Sequence, residues 1–447
     1  MFFSKFQSRQ NEEKKQREFE ERKKQREEDE SARYATGVWL ELKESFPFLP
    51  TPYIENLSAD NIYKAIADTV YSFPILGIIS DTIIAAPALP AEERRRHLYI
   101  VGKTGSGKST FLEQLVREDL EQHRGVGVIG PEGEFFRERL LQMVPEGRAE
   151  DIIYFAPGDP RNPLTFNPLM LEPGEDPVRA AEDLFTILKR AFGDDELSSR
   201  MQPILQNALG LLVGQPDMTL WEVKRLLEDK AFRDEMVQKN SDEYIQGFWL
   251  DTYPRYSKGA DVPIINRLDQ FLRPPAIRKT LCHPQSSFSI RKALTEGQIL
   301  FIDLFGLSEE NRLLLGQMIL SKFQLELMRR ELAGGSHKPF YLYADEFQSF
   351  AGVAQGTWRE LLSRGRKYGL CLTLAHQFPA QLPPGLQGEI FGNVNSLVAF
   401  SLGAKDAQVI RHEFLEKVRK EDGPRVEPIK AEELIELEEL EVYVLHP

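Results

Sequence analysis

The ten residues 101–110, "VGKTGSGKST", decide how the rest of the chain is read. Gly102 to Ser109 follow the pattern Gly-x-x-x-x-Gly-Lys-Ser. The apolar run "RHLYIV" (96–101) precedes it, and the amphipathic run "STFLEQLVREDLEQH" (109–123) follows. Strand, glycine loop and helix in that order are the context a phosphate-binding loop requires. Its N–H groups and the helix N-terminus present positive dipole to phosphate oxygens. Lys108 adds a point charge on the γ-phosphate, and the Ser109 hydroxyl suits Mg²⁺. The expected nucleotide-binding set is Gly102, Thr104, Gly105, Ser106, Gly107, Lys108, Ser109 and Thr110.

Working outward, further buried strands read from "GVGVIG" (125–130) and "DIIYFAP" (151–157), and later from "QILFIDL", "FYLYAD", "LCLTLA" and "SLVAFSL". A last strand reads from "EVYVL" (441–445). Such alternation with helices predicts an α/β fold with a largely parallel sheet. Between 172 and 290 the period changes to that of helices. Examples are "VRAAEDLFTILKRAF", "QPILQNALGLLV", "LWEVKRLLED" and "VPIINRLDQFL". The expected organisation is a charged helical or disordered tail at 1–33, a small module at 34–90, an ATPase core at 91–171 and 291–447, and an all-α insertion at 172–290.

A phosphate loop needs a second element to hold the metal and activate water. "FYLYADEF" (340–347) supplies an apolar strand that delivers Asp345 and Glu346 at its C-terminal end, where ligands of parallel sheets gather. Asp345 is the expected Mg²⁺ ligand, usually through water, and Glu346 the general base. The strand in "LCLTLAHQF" (370–378) ends at His376 and Gln377. An amide at Gln377 can report the γ-phosphate, or it can simply cap the strand. His376 shows no partner in the sequence and is read as structural. Two basic clusters, Arg94–Arg96 and Arg364–Lys367, read either as solvated surface or as arginines that a neighbouring subunit lends to the γ-phosphate. For that second role they are expected in loops beside the phosphate loop.

Composition narrows the function. The 447 residues are 41% hydrophobic and 28% charged with net charge −13, so no overall basic field attracts nucleic acid, and DNA contacts must come from local patches. Two cysteines, Cys282 and Cys371, suit a reducing compartment and form no metal set. The apolar stretch Val70–Ser80 is too short to span a bilayer and contains Pro74, so a soluble, cytoplasmic protein is expected.

Six stretches together resemble the conjugative coupling ATPases of the VirD4/TraD/TrwB type, within the HerA–FtsK superfamily of hexameric translocases. They are "RRRHLYIVGKTGSGKST" (94–110), "VGVIGPEGEFF" (126–136), "FNPL" (166–169), "YADEFQSF" (343–350), "LLSRGRKYGLCLTLAHQFPAQL" (361–382) and "NVNSLVAFSLGAKDA" (393–407). The resemblance implies a RecA-like core and a homohexamer with ATP and Mg²⁺ between subunits. It also implies DNA through a central pore, and type IV secretion or relaxosome components as partners. It assigns Arg96 and Arg364, with Arg366 beside it, to action in trans, and makes Gln377 a sensor. Two departures stand out. Gly130 occupies a position where family members usually carry Asp, so either Glu132 or Glu134 compensates or that Asp's supporting role is missing here. No N-terminal membrane helices are visible, which implies a soluble relative or one recruited to the membrane by a partner. Two other readings stay open: a VirB4-like secretion ATPase without a DNA role, and a nucleotide-binding assembly or adaptor protein.

Overall fold

The structure, a computed structural model, describes residues 94–162, 164–192, 200–256, 258–335, 337–351, 355–419, 430–437 and 442–445. All of them fall within one compact unit, Pro74–Pro447. The expected tail at 1–33, the module at 34–90 and the stretch Val70–Ser80 lie outside the described residues.

Eight strands form one sheet in the order β3-β4-β2-β5-β6-β1-β7-β8. They are β1 (Leu98–Val101), β2 (Gly125–Gly130), β3 (Ile152–Phe155), β4 (Ile299–Asp303), β5 (Phe340–Ala344), β6 (Leu370–His376), β7 (Ser396–Ala399) and β8 (Tyr443–Leu445). The first seven run parallel, and β8 pairs antiparallel with β7. Continuous apolar runs make these strands because both faces are covered. Alternate residues therefore enter two cores. Leu98, Ile100, Val126, Val128, Tyr341 and Tyr343 pack on one face with helix α1 (Lys108–Glu121). Tyr99, Val101, Ile129, Leu342 and Ala344 pack on the other.

Between β3 and β4 the described chain is helical, including α2 (Pro177–Phe192), α3 (Met201–Leu212), α4 (Leu220–Glu228) and α5 (Val262–Leu272). Local chemistry starts these helices well. Thr219 caps α4 through Trp221 N, and Glu222 reaches back to Thr219 N at 3.0 Å, a reciprocal capping box. The apolar faces of α2 and α3, including Leu184, Leu188, Ile204 and Leu205, share one core with the second sheet face and with Leu315 and Phe323 of α6 (Glu309–Ala333). Asn167 of "FNPL" gathers the ends of this segment. Its Nδ2 donates to Met218 O and Pro284 O, both at 2.9 Å, and its Oδ1 accepts from Leu169 N at 3.0 Å. Among the described residues no helix is long and apolar enough to cross a membrane.

Candidate active site

Because seven strands run parallel, the residues that follow β1, β2, β5 and β6 emerge at one edge of the sheet. There the loop 102–107 turns β1 into α1. Gly102 is required by contact: a Cβ would lie 2.4 Å from Phe400 Cβ and 2.9 Å from Ser106 Oγ. Gly105 and Gly107, at φ +77° and +106°, occupy the left-handed region that side chains avoid. Lys103 N bonds Ser401 O at 2.9 Å, and Ser106 Oγ donates to Lys103 O at 2.7 Å, which stiffens the loop. Helix α1 has no side-chain cap and no acidic residue in its first turn. Its N-terminal N–H groups and positive dipole end are left to an anion.

Lys108 is buried at the start of α1 and donates from Nζ to Gly102 O at 2.6 Å and to Lys103 O at 3.0 Å. Burial lowers its pKa, while the charges of Glu346, Asp345 and Glu132 act the other way. Ser109 and Thr110 are half-buried beside it, and Thr104 and Gly105 are exposed on the loop. Asp345 is only 2% exposed. Its Oδ1 accepts from Glu346 N at 3.0 Å, and its Oδ2 has no hydrogen-bond partner. Burial, then the charges of Glu132 and Glu346, push its pKa up to about 7. A buried oxygen without a donor, next to an uncapped helix terminus, fits a divalent ion carried in with a polyphosphate.

Glu346 follows Asp345 at φ +45°, an uncommon conformation for a residue other than glycine. This bend ends β5 and turns the carboxylate toward β6. Gln377 Nε2 donates to Glu346 Oε1 at 3.1 Å, and Gln348 Nε2 donates to Oε2. Lys108, Asp345, Glu346 and Gln377 thus come together from three strand ends. The third carboxylate is Glu132, which shares the field of Lys108, Asp345 and Glu346 and whose pKa is raised by desolvation and by Glu346. Of the two glutamates weighed as replacements for an acid at 130, Glu132, though exposed, is the one whose charge acts on Asp345 and Lys108.

The structural reading of His376 gains its partner, and two other sequence expectations need correction. His376 does have a partner. It is fully buried, hydrogen-bonded through Nε2 to Tyr99 OH and packed edge-on against Phe347 at 4.9 Å, and burial lowers its pKa to about 3. Its neutral ring joins β1 to β6. The arginines, in turn, do not sit beside the phosphate loop. Arg96 precedes β1, while Arg364 ends helix α7 (Gln355–Arg364) and Arg366 lies in the turn leading into β6. They mark the opposite edge of the sheet, about 20 Å away along the seven residues of β6. There His97 bonds Leu362 O and Leu372 N, both at 3.0 Å, and burial, with a smaller part from the Arg366 charge, lowers its pKa to about 4. Arg364 is half-exposed, paired with Glu360 at 3.1 Å and Glu331 at 3.5 Å. Finally, Arg94 is no surface residue. It is 1% exposed and bonded to Asp119, Glu118 and Tyr343. Two acids at the C-terminal end of α1 oppose the helix dipole, and that was the available signal for buried cations nearby.

The fold resembles solved structures. The bacterial conjugative coupling protein TrwBdeltaN70, unbound, matches at TM-score 0.58 and 18% identity, over 87% of this chain and 88% of that one. The plasmid coupling protein TrwB in complex with the non-hydrolysable ATP analogue ADPNP matches at TM-score 0.59 and 18% identity, over 87% and 89%. VirB4 of Thermoanaerobacter pseudethanolicus matches at TM-score 0.54 and 16% identity, over 78% and 88%. At such identities the likeness shows the fold, an α/β RecA-like phosphate-loop core. No sequence among curated proteins matches the chain. A protein-family description matches residues 81–396, well over half of the 447, and by it the chain belongs to the family of the type IV secretion-system coupling protein DNA-binding domain.

Proposed function

We propose that this chain is an ATP-hydrolysing, homohexameric DNA translocase of conjugative or mobile-element transfer. It works with type IV secretion or relaxosome components, from the cytoplasm. The observation that carries the reading is the convergence of Lys108, Asp345, Glu346 and Gln377 beside an uncapped helix N-terminus. The solved coupling proteins with ADPNP and with ADP and Mg²⁺ support the same choice of nucleotide and metal.

In this reading the loop N–H groups of 102–107 and Lys108 bind the β- and γ-phosphates of ATP. Ser109 and Asp345 would hold Mg²⁺, which would supply charge neutralisation at those phosphates. Glu346 accepts a proton from the attacking water, and the amides of Gln377 and Gln348 fix the plane of its carboxylate. Gln377, bonded to Glu346 at the end of β6, acts as the sensor that reports nucleotide to that strand. Arg96, Arg364 and Arg366 are at the wrong edge to serve their own loop, and a neighbouring subunit's site is where their charge can act.

The test is steady-state ATP hydrolysis with and without single- and double-stranded DNA, beside a Glu346→Gln control. Strong stimulation by DNA, lost in the variant, is the expected result. Hydrolysis indifferent to DNA would favour the second reading, a VirB4-like secretion ATPase, for which the fold likeness at TM-score 0.54 speaks. Nucleotide binding without hydrolysis would leave an assembly or adaptor protein.

A further inference from the structure

We propose that Arg94, Asp119 and Tyr343 form a buried strut that sets the position of the phosphate loop against Asp345, which makes Arg94 and Tyr343 positioning residues of the nucleotide site. The proposal rests on the reading above that this site binds a Mg²⁺-nucleotide.

The strut is a set of directional bonds, to which Glu118 adds one more through Arg94 Nη2 at 3.1 Å. Arg94 Nη2 donates to Asp119 Oδ1 at 2.8 Å, and Arg94 Nη1 to Asp119 Oδ2 at 3.0 Å. Arg94 Nη1 also reaches the Tyr343 hydroxyl at 3.0 Å, and that hydroxyl donates to Asp119 Oδ2. Arg124 adds a bond to Asp119 Oδ1 at 2.6 Å. Arg94 and Asp119 are 1% and 0% exposed, and the Tyr343 ring is fully buried.

Three elements meet here, and each leads to the site. Arg94 lies on the lead-in to β1, the strand that enters the loop. Asp119 lies in the last turn of α1, whose first turn carries Lys108 and Ser109 about 15 Å away along a rigid rod. Tyr343 lies on β5, two residues before Asp345, so both side chains leave the same face of the strand. Both stems of the loop are thereby tied to the strand that supplies the acid. The apolar contacts between α1 and the sheet, Leu115 and Val116 among them, are not directional and would tolerate sliding. A forked guanidinium on a carboxylate fixes direction and distance together. An apolar set would pack here without opposing the helix dipole, so what the charged set adds is register.

Tyr343→Phe removes one hydroxyl and keeps the ring. Arg94→Lys keeps the charge and removes the fork. Tyr341→Phe keeps the ring that Arg94 and Arg124 stand over at 5.0 and 5.4 Å and removes a hydroxyl outside the bond set, so it serves as control. For each, thermal melting, kcat and KM for ATP are measured, with binding of a fluorescent ATP analogue in EDTA and across a Mg²⁺ titration. The expected result is a folded Tyr343→Phe protein with unchanged KM and unchanged binding in EDTA. Its kcat should fall about tenfold, because misplacement of reacting groups below 1 Å costs rate. Its Mg²⁺ midpoint should rise several-fold, with Arg94→Lys following and Tyr341→Phe matching wild type. Wild-type kcat and Mg²⁺ midpoint in folded Tyr343→Phe and Arg94→Lys would overturn the proposal, as would a loss of folding in both. If wild type binds but does not hydrolyse, the Mg²⁺ midpoint alone decides the strut, and only the hydrolytic reading falls. If wild type binds no nucleotide, both readings fall.

Discussion

Gln377 Nε2 stands 3.1 Å from Glu346 Oε1 and donates to it, joining the ends of adjacent strands β5 and β6. The bond gives the two residues separable roles. Glu346→Gln should lower hydrolysis by about 10²- to 10⁴-fold, the usual contribution of a general base, while nucleotide still binds. Gln377→Ala should cost less than Glu346→Gln and should uncouple hydrolysis from DNA. Single-turnover rates beside equilibrium binding check both.

Placing at 130 the Asp that the family resemblance implies should weaken the site. A Cβ on Gly130 would stand 3.3 Å from Asp345 O and 3.4 Å from Asp345 Cβ. Gly130→Asp therefore adds a carboxylate against one whose pKa already stands at about 7 and near Glu132. Like charges raise it further. The expected outcome is a higher Mg²⁺ requirement and lower kcat, read from a Mg²⁺ titration of hydrolysis. A gain in activity would show that Glu132 does not replace the missing acid.

Two dead chains should rescue each other. Lys108→Ala removes the phosphate lysine but leaves the opposite edge intact, and Arg364→Ala does the reverse. Arg364 is half-exposed and its pairs with Glu360 and Glu331 are surface ones, so its loss should cost under about 1 kcal/mol of folding stability. Each variant alone should hydrolyse poorly. A mixture should regain activity where an intact loop meets a neighbour's arginine, as a coupled ATPase assay of mixed subunits would show. Arg96→Ala and Arg366→Ala in the same assay assign the arginine. No rescue by any of them would exclude action in trans.

Glu326 on α6 gives a pH signature remote from the site. Its side chain is 6% exposed. Burial raises its pKa to about 6, Arg291 opposes the rise, and Glu175 and Glu172 add to it. Arg329 also faces it at 3.4 Å. The folded protein then holds a proton that the unfolded chain releases between roughly pH 4.3 and pH 6. The contribution is complete below that window and lost as pH rises through it, about 2 kcal/mol in all. Glu326→Gln removes the titration. Urea unfolding from pH 4 to pH 8 should show wild type losing stability relative to the variant across the window and no further above it.

Much of the site could be read from the chain because its parts are local. A glycine loop between a strand and a helix, and acids or an amide at the ends of apolar strands, carry their context within about ten residues. Parallel pairing then brings Lys108, Asp345 and Gln377 to one edge as a matter of topology. The helical period between 172 and 290 was legible for the same reason, since amphipathic spacing is a property of each helix alone.

What the sequence by itself determined, then, is the identity of the strands, the loop and the strand-end acids, because short-range steric and hydrophobic patterning dictates them. Tertiary structure decided the fates of residues that look alike in the chain. Arg94 and Arg96 are two positions apart, yet one is sealed in a strut with Asp119 and Tyr343 and the other faces solvent. His376 found Tyr99, and Glu132 rather than Glu134 joined the acidic cluster. For Arg94 and His376 the deciding energy is the desolvation of a polar group against a partner remote in sequence, and only packing says which groups lose their water together.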